Sequence, residues 1–132
     1  MNADCLFCAI AAGTVPSKKV YEDDLAYAFL DISPLKRGHT LIIPKRHTAD
    51  VFEDDATLAE IAPAIARVGR LLKDRLGAEG CNVLANAGTI AGQVVFHTHV
   101  HVVPRFADDP GMRALFTAVP QDIDEVHAAL AG

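Results

Sequence analysis

The stretch Gly92-Gln-Val-Val-Phe-His-Thr-His-Val-His-Val-Val-Pro-Arg105 sets His97, His99 and His101 two positions apart, with a threonine and a valine between them. Two is the side-chain period of a β-strand, which rises ~3.3 Å per residue. Val94 to Val103 is therefore expected as a strand carrying three imidazoles on one face, with Thr98, Val100 and Val102 on the other. Three rings in a row fill a core poorly, because each buried imidazole needs partners for two nitrogens. The row points to chemistry instead. Ligation of a catalytic metal is one reading. It is weakened because no Asp or Glu lies within the run to act as a base beside a metal-bound water.

Working outward, Ala87-Gly-Thr-Ile-Ala-Gly92 reads as a loop of mostly small residues, and Cys81 to Asn86 as the strand before it. Upstream, Leu58, Ile61, Ile65, Val68 and Leu72 recur at steps of three and four, the spacing of one helix face, up to a stop at Gly77. Pro63 lies inside that pattern, so the helix either kinks there or starts later than Asp54. His39 to Pro44 reads as a strand after the Asp31-Ile-Ser-Pro34 break, and Val20 to Leu30 as a hairpin turning at Glu22-Asp-Asp24. A short helix capped by Asp4 runs through Ala12 to Gly13, and a last helix opens at Asp122 toward Leu130. Short strands around one long helix predict an α+β fold with a five-stranded antiparallel sheet.

A chain of 132 residues, about half apolar, fits one domain over 1–132. With 12 basic against 17 acidic side chains the net charge is -5, which argues against nucleic-acid or anionic-membrane partners. No apolar run approaches the ~20 residues of a membrane helix, and no basic-then-apolar leader opens the sequence, so a cytoplasmic protein is expected. Cys5 and Cys8 have the gap at which two thiolates reach one metal, or they are small apolar residues of a short helix. Cys81 reads as packing, His127 as surface, and His39 as either a site donor or a strand-edge residue. Asn86, polar at the end of an apolar strand, is expected to help hold a phosphate.

Taken with Asp31-Ile-Ser-Pro34, Gly38-His-Thr-Leu-Ile-Ile-Pro-Lys-Arg-His47 and Asn86, the histidine run resembles the signature of the histidine triad (HIT) family of nucleotide hydrolases and transferases. The resemblance covers about residues 5–106 and leaves 107–132 as a tail and helix without a motif. It implies that His99 attacks the α-phosphate of a small nucleotide and forms a nucleotidyl-histidine, while His101 faces a non-bridging oxygen. Gln93 and the amides near Val94 and Val95 would supply further donors to the charge that develops in the transition state. Asp31 would hold the ribose, with Phe29, Leu30, Ile32 and Ile43 lining the base pocket. A third histidine, His101, is the mark of hydrolase rather than transferase branches. The branch most resembled cleaves nucleoside phosphoramidates and related adenylylated compounds. Dinucleoside polyphosphate hydrolysis and a catalytically weak nucleotide-binding regulator are the alternatives. Similar members with the cysteine pair hold a structural zinc ion, here through Cys5, Cys8, His47 and His97, and pair as two-fold dimers.

Overall fold

The computed structural model describes residues 4–109, 111–112 and 116–132. Helix α1 (Leu6–Ala11) is followed by β1 (Lys19–Glu22), β2 (Ala26–Leu30), β3 (Thr40–Pro44), the long helix α2 (Thr57–Leu76), β4 (Gly80–Leu84), β5 (Val100–Arg105) and α3 (Ile123–Ala131). The strands form one sheet in the order β1-β2-β3-β5-β4, and every neighbouring pair is antiparallel. The α+β class and the five-stranded antiparallel sheet are as the sequence predicts.

Alternation along the strands sends side chains to two different layers. Ala26 and Ala28 of β2, Ile42 of β3, and Val100 and Val102 of β5 pack with Ile61, Ala64, Val68 and Leu72 of α2. On the opposite face Phe29, Leu41 and Ile43 pack with Phe7 and Ile10 of α1. His101 stands opposite Leu41 in the β3–β5 register, so it belongs to the α1 side of the sheet. Ile61 and Val68 are fully buried against the sheet, which makes that helix face core.

The long helix begins at Thr57, the later of the two starts the sequence allows, and it retains Pro63 in its interior. Asp54 Oδ1 accepts the N–H groups of Ala56 and Thr57 and the Thr57 hydroxyl, at 2.8 to 3.0 Å, and so satisfies donors ahead of the first turn. Leu58 is exposed, and Ala64 takes a core position that the three-and-four spacing missed. In α1 the cap is Cys5 rather than Asp4: its Sγ accepts the Cys8 N–H at 3.4 Å.

The main correction concerns the histidine strand. It starts at Val100, not Val94, and His97 and His99 lie in the irregular segment that leads into it. The reason lies across the sheet. The β3–β5 register would bring Pro44 opposite Thr98, but Pro44 has no N–H to extend the ladder, and its carbonyl accepts His97 Nε2–H at 2.8 Å. Strand β4 correspondingly ends at Leu84, opposite His101, so Ala85 and Asn86 lie beyond it.

Gly38, just before the histidine of β3's approach, has φ +92°, and a Cβ there would lie 2.6 Å from Leu76 Cδ1 and 3.1 Å from Leu72 Cδ2. Gly38→Ala is expected to cost about 1–3 kcal/mol of stability through backbone strain and overpacking, read as a lowered urea midpoint at unchanged m-value.

Candidate active site and metal centre

Backbone partners determine which nitrogen of each histidine carries the proton. The His97 carbonyl can only accept, so the 2.8 Å contact to His99 Nδ1 is donated by the ring, and neutral His99 keeps its lone pair on Nε2. His97 likewise donates Nε2–H to Pro44 O, which leaves its Nδ1 as an acceptor. The Leu35 N–H donates to His39 Nδ1 at 3.0 Å, so the proton of neutral His39 sits on Nε2 and points at His101 Nδ1, 3.0 Å away. His101 then carries its own proton on Nε2. Asp31 Oδ2 lies 3.5 Å from His39 Nε2, while Asp31 Oδ1 accepts the Ser33 N–H at 2.8 Å.

Neutral rings are what burial favours here. Desolvation lowers the pKa of His39 and of His97. His101 is pushed down to about 4, first by burial and then by the neighbouring His99 and His39.

His99 and His101 line one wall of a cavity of about 800 Å³, within the range of small-molecule sites. Phe29, Leu30, Asp31 and Ile32 line it too, as do Asn86, Val94 and Val95. Phe7 stands edge-on to the His99 ring, centroids 5.1 Å apart, and edge-on to Phe29 at 5.5 Å. The wall is mostly apolar at the α1 end, and its polar groups include the two histidines, Asn86 and Asp31.

Two expected pocket residues stand elsewhere. Ile43 is fully buried in the apolar cluster beneath the cavity and does not line it. Gln93 is buried with its amide fully engaged: Nε2 donates to Ala49 O at 2.7 Å and Val95 O at 3.1 Å, and Oε1 accepts the Gly88 N–H at 2.8 Å. Gln93 therefore folds the loop from Gly88 to Val95 around the cavity rather than reaching into it. Conversely, Phe7, Ile10, Val15, Ser17, Lys18 and Leu41 line the cavity without having been singled out. The three-residue spacing of Phe7 and Ile10 was a readable signal of an inward helix face; residues 15–18 carry none.

On the far side of α1, Cys5, Cys8, His47 and His97 offer four ligand atoms within 4.8 Å of one another. His97 Nδ1 lies 3.4 Å from each sulfur and 3.2 Å from His47 Nδ1, and Cys8 Sγ lies 3.3 Å from His47 Nδ1. Tetrahedral zinc with bonds of ~2.3 Å to sulfur and ~2.05 Å to nitrogen would separate its two nitrogens by ~3.3 Å and each nitrogen from each sulfur by ~3.6 Å. The set fits. His97 also presents the correct lone pair, since its other nitrogen is tied to the Pro44 carbonyl, the usual arrangement behind a metal-bound imidazole.

Sheet, helices and site together define an α+β domain in which a histidine cluster walls a nucleotide-sized cavity beside a Cys₂His₂ cluster. A sequence model of the HIT domain matches residues 12–108, and the chain belongs to that family. The crystal structure of SMU.412c from Streptococcus mutans UA159 superposes with a TM-score of 0.89 at 42% identity, covering 99% of this chain and 83% of that one. A Zn-bound histidine triad family protein from Mycobacterium smegmatis superposes with a TM-score of 0.76 at 41% identity, covering 97% and 94%. Adenosine 5'-monophosphoramidase hnt1 of Schizosaccharomyces pombe is 38% identical, over 94% of this chain and 91% of that protein. No helix among the described residues is long and apolar enough to cross a membrane.

The depressed histidines make stability depend on pH. Above the ordinary histidine range, near 6.5, neither folded nor unfolded chain binds these protons; below it the unfolded chain takes protons that the folded one refuses. Stability should thus fall as pH drops from about 6.5 toward about 4, where His101 finally titrates. Urea midpoints measured at pH 7 and pH 5 should show the loss, and His101→Gln should show less of it than the wild type.

Proposed function

We propose that the protein hydrolyses an adenosine nucleotide conjugate at the α-phosphate, with His99 as nucleophile and a phosphoramidate as the substrate type. The observation that carries this reading is the bond from His99 Nδ1–H to its neighbour's carbonyl, which leaves the Nε2 lone pair for phosphorus in a ring that walls the cavity. Attack forms the Nε2–P bond as the P–N bond breaks, and the departing nitrogen takes a proton from solvent to leave as the amine. Water then attacks phosphorus, forming a P–O bond as the Nε2–P bond breaks and returning a proton to solvent, which releases AMP and restores His99. His101 Nε2–H donates to a non-bridging oxygen throughout, with Asn86 and the amides near Val94 and Val95 as further donors. Asp31 takes the ribose, and Phe7, Ile10, Phe29 and Leu41 take the base. The likeness to the fission-yeast adenosine 5'-monophosphoramidase supports this substrate class over dinucleoside polyphosphates.

We further infer a structural zinc ion on Cys5, Cys8, His47 and His97, supported by ligand spacing and by the Zn-bound mycobacterial relative. Bound there, the ion would cross-link the start of α1 to the segments that carry His47 and His97. A homodimer is inferred with it, β4 being an edge of the sheet with Val83 exposed beside it.

His99→Ala is expected to lower AMP release from an adenosine phosphoramidate by about 10³-fold or more. Acid-quenched wild type should carry an adenylyl adduct that the variant lacks, seen by intact mass. Equal turnover by both proteins would remove His99 as nucleophile. Nucleotide binding without turnover by either would favour a binding protein instead. Zinc should be found at one ion per chain, and chelation should lower activity only in step with loss of α1 helicity and cavity binding.

A further inference from the structure

The residue after each histidine ligand is a fully or almost fully buried threonine, Thr48 after His47 and Thr98 after His97, and the two threonines are bonded to each other. Their hydroxyl oxygens are 2.6 Å apart, and the Thr98 N–H donates to Thr48 O at 2.8 Å. Directions follow from the remaining partners. The Thr98 hydroxyl donates to Thr48 O at 3.2 Å, so its oxygen is free to accept the Thr48 hydroxyl. The result is a link of three hydrogen bonds between peptide segments 50 residues apart in sequence, placed where the β3–β5 ladder has already ended.

The link is anchored from behind. Thr57 Oγ1, also fully buried, lies 3.4 Å from Thr48 Oγ1 and donates to Asp54 Oδ1 at 2.8 Å. Arg46 reaches the same Thr57 oxygen at 3.3 Å and Asp54 Oδ2 at 2.7 Å. The first turn of α2 thus packs its Thr57 hydroxyl oxygen against that of Thr48, behind the Thr48–Thr98 pair.

We propose that Thr48 and Thr98 are positioning residues for the metal centre: their mutual bond sets the separation of His47 Nδ1 and His97 Nδ1, 3.2 Å, at which one ion takes both rings. The inference rests on the zinc reading of the Cys₂His₂ cluster. A hydroxyl pair suits the task because it is short, directional and held at both ends, whereas apolar contact alone would let the two segments slide. The competing role for the pair is mere mutual satisfaction of two buried polar groups. That role predicts that replacing both hydroxyls by methyl groups restores everything.

Three variants separate these roles: Thr98→Val, Thr98→Ser and the double Thr48→Val/Thr98→Val. Zinc affinity is measured by competition with a chromophoric chelator, and the Co²⁺ form by its visible absorption. Thr98→Val and the double variant are expected to bind zinc at least about tenfold more weakly than wild type, with an altered Co²⁺ spectrum. Thr98→Ser keeps the hydroxyl and should match wild type in both. The double variant leaves no unpaired hydroxyl between the two positions and should melt closer to wild type than Thr98→Val does. If Thr98→Val binds zinc as wild type does, or the double variant regains wild-type affinity and spectrum, the pair does not position the ligands. If Thr98→Ser binds zinc as weakly as Thr98→Val, the hydroxyl is not what holds the spacing, and the proposal falls. Wild type that takes up no zinc would instead sink the zinc reading itself, and this proposal with it.

Discussion

The bond from His97 Nε2–H to the Pro44 carbonyl is the constraint around which the site is arranged. It occupies the carbonyl at which β3 would otherwise continue its ladder with the histidine segment, and Pro44 has no N–H to offer in return. Chain leaving the ladder here gains the freedom to use its own backbone as a partner, which is how the His97 carbonyl becomes available to His99 Nδ1. The same bond faces His97 Nδ1 toward the two cysteines. One side chain thus separates a metal-facing ring from a cavity-facing ring two residues later. A regular strand would have lined up all three rings alike.

The sheet could be read from period-two runs of branched residues, because burial of one or both faces is what such runs encode. The start of β5 could not, since His-Thr-His has the same alternation whether or not a ladder partner exists. Only the Pro44 position, read together with a register, shows that it does not. For the site, residues with distinctive chemistry were legible and those with ordinary chemistry were not. Cys5, Cys8, His47 and His97 do converge. Gln93, expected at the phosphate from the family resemblance, directs its amide to backbone, while Phe7 and Ile10, whose spacing shows only an inward helix face, and Leu41, an ordinary strand residue, form cavity wall. Apolar residues report that they are covered, not what covers them.

Burying several histidines in one small domain costs stability, because each ring prefers water when charged. Burial holds the pKa of His39, His97 and His101 below the ordinary value, and the rings are given ring or backbone partners. The relay from the Leu35 N–H through His39 to His101 is directional, since a backbone N–H can only donate. His39, which the sequence left open between site and strand edge, is therefore the ring that orients His101. A protonated His101 would have to give up the bond it accepts, which adds to the desolvation that already pushes its pKa to about 4.

Helix α1 is six residues long, too short to persist alone, and it serves two sites at once. Cys5 and Cys8 look toward the metal cluster, while Phe7 and Ile10 look toward the cavity and the His99 ring. Whatever holds the two sulfurs therefore also fixes the wall against which a nucleotide base would pack, and an occupied cavity in turn holds the helix in place for the metal. Two ligands that stabilise one folded element each raise the affinity for the other, even though neither touches the other. On the proposed zinc reading, an ion at the Cys₂His₂ cluster would bear on the cavity through the order of this helix. His97 Nδ1 faces the cysteines and His99 Nε2 is left open because their different backbone partners prevent them from exchanging roles.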